Sequence, residues 1–561
     1  MIFELISWLY ISLICLVWGN RILKLGFGIS QEDAIDFPII CFIGLSALGI
    51  ISYFLSLVIP LFPAVKLFLQ IPALLFLLKS ENRRGIICQL RKCFGFLSVL
   101  DKLFLGIILL MLLFISSSLV IHPDTLNYHL LATRIFEKYG SIPGIANLRM
   151  DLGFQSNWFA ELAFFDFSLT QHIQWFPLNG CVMGWFVFFL VSKSAVSRTD
   201  NATNKYFSAA IWYLGLLLFS ILSWTQIRLT AASLSPDFIA AISIWLVFYF
   251  FIGGDEKLPE AKTDALAVFF IIIALSVKLS TVPILFIFGL VLIYAYRRDG
   301  FTYVVRIVLA TGILLSPLLI RNIISTGYPL FPSSFAAIYP AEWQLNPAGL
   351  IKLQHYITSY ARFPVIIVNS EYAYQLFFLE WIPVWWRNLY AIDKLLIILI
   401  VSGIGLDISF FKTWKKSLHK RMLFVFIVAI AGSVFWFLKA PDPRFGTGFL
   451  LALIYCQYAP FAKIFNRLRI QNSFRLVQAI KFFSMACILM YTGYRAVYFF
   501  NPRQLLFPGG IKNAAVINPD CDDHLREMIL NEENPPGQLP DSCRNFMFRG
   551  TTIRHGFKPA R

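Results

Sequence analysis

The chain is poor in charged residues. Only 14% of its 561 residues are Asp, Glu, Lys or Arg, whereas 58% are hydrophobic and 17% are aromatic. Soluble globular domains carry about 25% charged residues, so this composition excludes a soluble globular protein. Apolar runs near the roughly 20 residues that cross a bilayer recur from one end of the chain to the other. The sequence therefore predicts an all-α polytopic membrane protein.

The chain also lacks the usual signatures of nucleotide-dependent and zinc-dependent enzymes. It has no Walker A sequence, no GxGxxG after a strand and no HExxH. Those motifs bind nucleotide phosphates or a catalytic metal. Use of ATP or of a sugar nucleotide from the cytoplasmic side is therefore not expected, and a lipid-linked donor within the bilayer is the energy source that fits.

The nine cysteines include no CxxC pair. Most lie within apolar runs and are interpreted as small hydrophobic residues. Cys521 and Cys543 differ, because both lie in the polar tail 501–561, which the topology places outside the membrane. We predict a disulfide between them in an oxidising compartment, so that the tail forms a small extracytoplasmic C-terminal cap.

Positive charge is in excess, with 48 Lys and Arg against 31 Asp and Glu and a net charge of +17. The basic residues concentrate in alternate loops, which the positive-inside rule assigns to the cytoplasm. The excess therefore reports orientation, and no nucleic-acid partner is expected. This topology gives about fourteen transmembrane helices with both termini outside. The predicted spans lie near residues 2–20, 37–58, 61–79, 103–120, 174–193, 206–224, 236–252, 264–277, 280–296, 303–320, 392–409, 422–438, 446–461 and 479–500.

In this topology residues 1–500 form the transmembrane domain. Three long regions lie outside the membrane, namely 121–158, 321–390 and the tail 501–561. Loops much beyond about 15 residues are usually functional or separately folded, so the active surface is predicted to be external. The 321–390 region is rich in Tyr and Trp, as suits interfacial helices along the headgroups. An ordinary aromatic belt is the alternative. The segment 158–172 is too polar for a span and is predicted to be re-entrant or interfacial.

Asp124 is the leading candidate for a chemical role. It follows the uncharged run 103–120, at the point where a spanning helix leaves the hydrocarbon but remains within reach of water. Apolar residues at helical spacing follow it, so a helix N-cap is the structural alternative. His129 is a candidate for proton transfer near neutral pH. Its alternative is an exposed polar residue on an interfacial helix.

Three cations stand at the predicted external ends of spans. Lys278 interrupts an apolar hairpin, Arg321 ends a span, and Arg444 lies in the sequence LKAPDPRFGTG beside Asp442. Each has a structural alternative as a snorkelling side chain or as the partner of a nearby carboxylate. Together they put positive charge on the same side as Asp124, as a phosphate-bearing substrate requires.

These features resemble the GT-C superfamily of polytopic glycosyltransferases, which use polyprenyl-phosphate-linked sugars. The resembling pieces are HPDTLNYH, which contains Asp124, the hairpin around Lys278, RNIISTGYPLFP and APDPRF. The loop GIANLRMDLGFQSNWF and the cysteine-bearing tail are similar to those of a bacterial subgroup of such proteins. The architecture covers most of the chain, but each motif is short. The chain departs from better-known members because Pro123 and Thr125, and no second acidic residue, flank Asp124.

The resemblance implies a GT-C-like helical bundle in the bacterial inner membrane, with its active site on the periplasmic side. It implies transfer of a sugar from a polyprenyl phosphate to a hydroxyl of a glycan, lipid or protein acceptor. The catalytic residues are then Asp124 and His129, with Asp124 as base or as ligand of a divalent cation such as Mg²⁺ or Mn²⁺. The remaining implied site residues are Lys278, Arg321 and Arg444 for the donor phosphate, and Asn127, Tyr128, Gln155 and Asn157 along the acceptor loop.

Three other interpretations remain open. A transporter of lipid-linked oligosaccharides or small solutes shares many spans and intramembrane charges, although matching halves with broken helices are not evident here. A polysaccharide polymerase or ligase shares external arginines and lipid-linked substrates, and would depend most on the region 321–390. An inactive scaffold of the same fold is the third.

Overall fold

The computed structural model describes residues 1–29, 35–95, 97–168, 173–196, 213–219, 223, 229–253, 258–337, 341–363, 370–409, 420–467, 473–499, 501–509 and 511–512. Within these ranges the chain is almost entirely helical. A pair of two-residue antiparallel strands, β1 (Ile173–Gln174) and β2 (Ile511–Lys512), joins the beginning of the tail to the start of the fifth predicted span. The predicted all-α class is therefore confirmed.

The α-helices are α1 (Ile2–Phe27), α2 (Phe37–Leu55), α3 (Pro63–Leu78), α4 (Ser80–Gly95), α5 (Val99–Ser116), α6 (Leu130–Lys138), α7 (Ile145–Leu148), α8 (Asn157–Phe164), α9 (Leu178–Val196), α10 (Asp237–Phe251), α11 (Glu260–Val277), α12 (Leu285–Asp299), α13 (Phe301–Thr326), α14 (Pro347–Arg362), α15 (Phe378–Asn388), α16 (Ala391–Ser409), α17 (Lys420–Lys439), α18 (Pro443–Arg467) and α19 (Ser473–Phe499). A π-helical turn, Thr125–His129, leads into α6. Short 3₁₀ turns are Met150–Gly153, Leu279–Ile284, Ser370–Gln375 and Pro502–Leu505.

Seven of the helical segments are long and apolar enough to cross a membrane by length and composition. The count rises to eight if α3 and α4, which meet at a bend of 91°, form one broken span. The protein is thus a multi-pass membrane protein. The count of about fourteen remains a prediction, and its span near 206–224 lies mostly outside the described residues.

Helices α1 and α2 approach each other so closely that only glycine fits at two positions. A Cβ on Gly19 would lie 2.0 Å from the Ile40 carbonyl oxygen, and a Cβ on Gly44 would lie 1.8 Å from the Cys15 carbonyl oxygen. Both obstacles are backbone atoms, which a side-chain rotation cannot move. Small residues at such crossings let transmembrane helices gain dispersion contacts that lipid tails do not replace.

Helix α8 is buried along its whole length, so the segment 158–172 does not begin as an interfacial helix. Trp158 is fully buried, and the N-cap Ser156 donates its hydroxyl to the Val277 carbonyl oxygen at 2.7 Å. This bond ties the start of α8 to the end of α11. The loop 121–158, which the sequence predicts to be external, therefore folds back into the protein beside the residue that precedes Lys278.

The region 321–390 contains two helices of different character. Helix α14 is anchored by Leu350, which packs in a small core with Ala146, Tyr328, Phe331 and Leu345. Helix α15 buries Trp381 and Trp385 while Leu379 is 79% exposed. Its exposed apolar residues suit an interfacial helix, but two of the tryptophans assigned to an aromatic belt are core residues.

The first residues of the tail contact the N-terminus and the end of α5. The Met1 ammonium donates to the Gln504 carbonyl oxygen at 2.5 Å, and the Gly509 amide donates to the Ser117 carbonyl oxygen at 2.7 Å. Cys521 and Cys543 lie outside the described residues, so their disulfide remains a prediction. The described cysteines are free, and four of them, Cys15, Cys41, Cys181 and Cys456, are buried as the hydrophobic interpretation expects.

Replacing Gly44 with Ala will destabilise the protein, because the new methyl group must push α1 away from α2. Overpacking of a tight core typically costs about 1–3 kcal/mol. The midpoint of thermal unfolding of purified protein in detergent should therefore fall, and Gly19→Ala should behave alike. The matched control is Gly106→Ala on α5, where the added Cβ meets nothing within 4 Å. Equal midpoints for Gly44→Ala and Gly106→Ala would contradict this packing.

Candidate functional site

Arg444 is the centre of a charged cluster at the start of α18. Its guanidinium lies 3.1 Å from the Asp124 carboxylate and 3.0 Å from the Asp442 carboxylate. It also reaches the His122 Nε2 atom and the Tyr360 hydroxyl, each at 3.5 Å. The Arg444 side chain is only 7% exposed, so these contacts replace most of its hydration.

A second ion pair adjoins the first. The Lys278 ammonium is hydrogen-bonded to the Asp237 carboxylate. The Phe445 ring connects the two pairs, since its centroid lies 3.9 Å from Lys278 Nζ and 4.6 Å from Arg444 Cζ. Both cations and Asp237 line one pocket, which continues between α10 and α18 toward apolar residues. Its cavity volume is about 10 Å³, room for about one water molecule.

The π-helical turn orients Asp124. The extra residue in such a turn displaces side chains from normal helical positions, and π-turns are frequent at functional sites. Asp124 occupies the N-cap position of this turn, as the structural alternative expects, but its carboxylate makes no capping hydrogen bond and contacts Arg444 instead. Thr125, which is fully buried, places its hydroxyl 3.2 Å from His129 Nδ1 and accepts from the Leu234 amide at 3.2 Å.

Asp237 is held in place by the loop that precedes α10. The buried Asn179 amide donates to the carbonyl oxygens of Ser233 at 2.6 Å and Ser235 at 3.2 Å. The Ser235 hydroxyl in turn accepts from the Asp237 backbone amide at 3.3 Å. Because the loop's polar groups are paired within the protein, Asp237 begins α10 in a fixed position.

Two tryptophans hold the turn that contains Asp442. The Trp436 indole donates to the Asp442 carbonyl oxygen and the Trp385 indole donates to the Pro441 carbonyl oxygen, both at 2.7 Å. The Asp442 carboxylate accepts from the Arg444 backbone amide at 3.1 Å. Asp442 thus satisfies an amide of the first turn of α18 while it pairs with the Arg444 side chain.

Burial and charge act in opposite directions on the carboxyl groups of Arg444's two partners. Burial raises the pKa of Asp124, but Arg444 and His122 outweigh that effect, so the pKa lies below its usual range. For Asp442, burial prevails over the attraction of Arg444 and raises the pKa. Asp124 is therefore the carboxylate that stays ionised to lower pH. It is also the more accessible, at 29% against 8% exposure.

The two histidines beside Asp124 are neutral at pH 7. Burial lowers the pKa of His122 to about 4, and Arg444 adds to this effect against the attraction of Asp124. Burial and the neighbouring His122 lower the pKa of His129 to about 3. A neutral imidazole has one nitrogen that donates and one that accepts a hydrogen bond, and the tautomer sets which of these roles His129 Nδ1 takes toward the Thr125 hydroxyl. His129 lies behind Asp124 and contacts the Tyr128 ring at 4.4 Å between centroids.

Arg321 is not brought to this cluster. Its guanidinium donates to Gln155 at 2.7 Å, to the Ser56 hydroxyl at 2.9 Å, to the Ser141 hydroxyl at 3.0 Å and to the Gly140 carbonyl oxygen. The residue is 1% exposed. Because these donors are used inside the protein, Arg321 has a structural role here and is not presented to a substrate phosphate.

The proposed acceptor-loop residues also separate in space. Asn127 is exposed and accepts from Arg149 at 2.6 Å, whereas Tyr128 is half-buried against His129. Gln155 is used by Arg321. Asn157 is fully buried in α8 and donates to Glu161 at 2.7 Å. Of the four, Asn127 and Tyr128 lie on the π-turn next to Asp124, while Gln155 is half-buried against Arg321 and Asn157 is an interior residue.

The divalent cation implied for Asp124 finds no supporting ligands. Within the described ranges, no group of three or more His, Cys, Asp or Glu side chains is arranged to hold a metal ion. The nearest charged partner of Asp124 is a guanidinium, which competes with a cation for the carboxylate. The residues present therefore do not fit the expected metal.

Sequence reasoning missed His122, Asp237 and Tyr360 as members of the cluster. One signal was available, because Pro-Asp occurs at three helix starts: Pro123–Asp124, Pro236–Asp237 and Pro441–Asp442. Proline is favoured where a helix begins, and the following carboxylate lies at its electropositive end. All three carboxylates meet at the two cations.

The fold and the cluster define a polytopic helical membrane protein with a polar site at helix ends. The chain belongs to the family described as Domain of unknown function (DUF8201), which matches residues 1–451. The match contains every residue of the charged cluster and ends before the cysteine-bearing tail. No curated protein and no solved structure matches the chain.

The stability of the protein will fall as the pH falls from 7 to 5, because His122 and His129 are buried uncharged. The histidine pKa in an unfolded chain is about 6.5, so the unfolded state takes up protons first, and each histidine should cost about 2 kcal/mol by pH 5. The thermal midpoint of His122→Gln or His129→Gln should depend less on pH than that of the wild type. His355→Gln, on α14, is the control that should keep the wild-type dependence. Unchanged pH dependence in both cluster variants would overturn the assignment of buried neutral imidazoles.

Proposed function

We propose that this protein is a membrane glycosyltransferase that moves a sugar from a polyprenyl-phosphate donor to a hydroxyl acceptor. The observation that carries the proposal is that Lys278 and Arg444, far apart in sequence, line one pocket, with Asp124 paired to Arg444. A lipid-phosphate donor needs cations at the edge of the hydrocarbon, and its acceptor needs a proton-accepting group beside them.

Exposure assigns different roles to the charged groups. Asp124 is 29% and Lys278 25% exposed, whereas Arg444 and Asp237 are each 7% exposed. The two accessible groups are thus one acid and one cation, backed by buried partners of opposite charge. In the proposed reaction Asp124 meets the acceptor hydroxyl and Lys278 meets the donor phosphate.

The proposed step balances without a further reactant. The acceptor oxygen forms a bond to the anomeric carbon of the donor, and the bond from that carbon to the phosphate oxygen breaks. The bonding electrons leave with the polyprenyl phosphate, whose charge Lys278 and Arg444 stabilise. The acceptor proton passes to the Asp124 carboxylate. His129, held by Thr125, acts as a positioning residue behind the π-turn.

Arg444 couples donor binding to the basicity of Asp124. Its charge is the main attraction that holds the pKa of Asp124 low against burial. A donor phosphate that shares this guanidinium weakens the attraction and raises the pKa of Asp124, which makes the carboxylate a stronger base. The pocket, with room for about one water molecule, must widen for this, and separation of Lys278 from Asp237 is the change that opens it.

We place this reaction on the extracytoplasmic side of a bacterial inner membrane, with a cell-envelope glycan, lipid or protein as acceptor. In support, the cluster joins helix ends that the positive-inside pattern assigns to the outside. The ion pairs Lys193–Asp36, Arg421–Asp264 and Lys481–Asp101, each at 2.7 Å, occur at ends assigned to the cytoplasm, and the last two are closed to solvent.

Asp124→Asn should abolish sugar transfer, because the amide cannot accept the acceptor proton. We expect at least a hundredfold lower rate, on the order of the contribution of a general base. The measurement is transfer from radiolabelled polyprenyl-phosphate hexoses by purified protein in nanodiscs, with Lys278→Gln and Arg444→Gln assayed beside it. The matched control is Asp151→Asn, which removes a carboxylate from another arginine pair, 2.6 Å from Arg149.

Transfer by Asp124→Asn at the wild-type rate would rule out the catalytic assignment. Counterflow of a solute in sealed vesicles, without a new glycosidic bond, would favour a transporter instead. If Asp151→Asn also lost transfer although the variant folds normally, the loss in Asp124→Asn would reflect general damage to the external loop and not removal of a base.

Sidedness gives an independent check. In a variant without native cysteines, Gln354→Cys on the exposed surface of α14 should react with a membrane-impermeant maleimide in intact spheroplasts. Arg84→Cys on α4 should react only after the membrane is permeabilised, because Arg84 lies in one of the basic loops that the positive-inside rule assigns to the cytoplasm. The opposite pattern would place the charged cluster in the cytoplasm.

A further inference from the structure

A row of residues on α14 leads outward from Arg444. Lys352, Tyr356 and Tyr360 are spaced four residues apart and therefore share one face of the helix. The Tyr360 hydroxyl lies 3.5 Å from Arg444, and the Tyr360 and Tyr356 rings are stacked with centroids 6.5 Å apart at 26°. Tyr356 is 55% exposed. The row connects the charged cluster to the surface.

The helix that carries this row is fixed from several sides. The Thr358 hydroxyl donates to the Lys439 carbonyl oxygen at 2.9 Å, at the end of α17. The Ser359 hydroxyl accepts from the Tyr374 amide at 2.9 Å, and Leu350 lies in the small core beneath. Because α14 is already fixed, a ligand that binds to the rings of Tyr356 and Tyr360 loses little free energy to ordering of the helix.

The chemistry of the row differs from that of a membrane-facing helix. Lys352 and Gln354 are exposed beside Tyr356, whereas the neighbouring α15 exposes Phe378 at 41% and Leu379 at 79%. The apolar face of α15 suits lipid. Tyrosine offers a rigid ring face with a hydroxyl at its edge, and thus both apolar contact and hydrogen bonding at low entropic cost. Saccharides carry the matching pattern, with C–H faces and hydroxyl edges.

We propose that the α14 row is the acceptor-binding surface and that the acceptor is a saccharide chain, which rests on the proposed function above. The chain stacks on Tyr356 and Tyr360 and delivers its terminal hydroxyl to Asp124, the carboxylate that shares Arg444 with Tyr360. The row spans eight residues of helix, about 12 Å. It therefore favours an oligosaccharide over a monosaccharide.

Binding without any donor tests this inference separately from catalysis. The probes are monosaccharides and linear oligosaccharides of glucose, galactose, mannose and N-acetylglucosamine, with full-length protein in nanodiscs and saturation-transfer NMR as the readout. At least one oligosaccharide series should bind more tightly than its monosaccharide. Tyr356→Ala should weaken that binding about tenfold, a loss of about 1.4 kcal/mol. Tyr356→Phe should retain most of it, because the ring remains.

The matched control is Tyr390→Ala, which removes a tyrosine that is 44% exposed just beyond α15 and should leave binding unchanged. Equal binding by Tyr356→Ala and wild type, no preference for oligosaccharides, or no binding of any probe would overturn the inference. The inference would also be overturned if Tyr356→Ala lost affinity for phospholipid vesicles while its affinity for saccharides stayed unchanged. Saccharide binding without transfer would instead refute the proposed function alone. Sugar transfer by Tyr356→Ala with an unchanged KM for the acceptor would refute the α14 row as the acceptor-binding surface and leave the proposed function standing.

Discussion

Burial of the Arg444 guanidinium is the constraint on which the candidate site depends. A charge that is 7% exposed must be compensated by partners, and loss of one partner of such a pair typically costs about 3–5 kcal/mol. Its partners come from three separate segments, represented by Asp124, Tyr360 and Asp442. The π-helical turn before α6, the ends of α14 and α17 and the start of α18 must therefore converge, and the fold positions the site because it must satisfy this one cation.

The positions of the helices could be predicted from sequence to a greater degree than the site. Hydropathy located the helical segments, because a backbone in lipid must satisfy its own hydrogen bonds. The position of a residue at a span end fixes its depth but not its direction around the bundle. Lys278 and Arg444 therefore proved to share a pocket, whereas Arg321, predicted by the same reasoning, is enclosed by Ser56, Ser141 and Gln155.

The same limit explains the missed residues. Asp237 and His122 acquire their roles only through contacts across the bundle, with Lys278 and Arg444 respectively. No apolar periodicity encodes such pairings. Asp124 does occupy the N-cap position, but local helix propensity did not anticipate a competing guanidinium 3.1 Å away, which takes the place of the capping hydrogen bond.

The charge balance of the cluster points to where a proton is held. Three carboxylates face two cations, and His122 and His129 are neutral at pH 7, which leaves one excess negative charge before any substrate enters. That charge would oppose the anionic donor of the proposed reaction. The pKa of Asp442 is raised and that of Asp124 is lowered, so the first proton to be taken up between these two neutralises Asp442. In the proposed reaction, this proton leaves Arg444 with a charge to share with the donor phosphate, while Asp124 stays ionised and able to accept the acceptor proton.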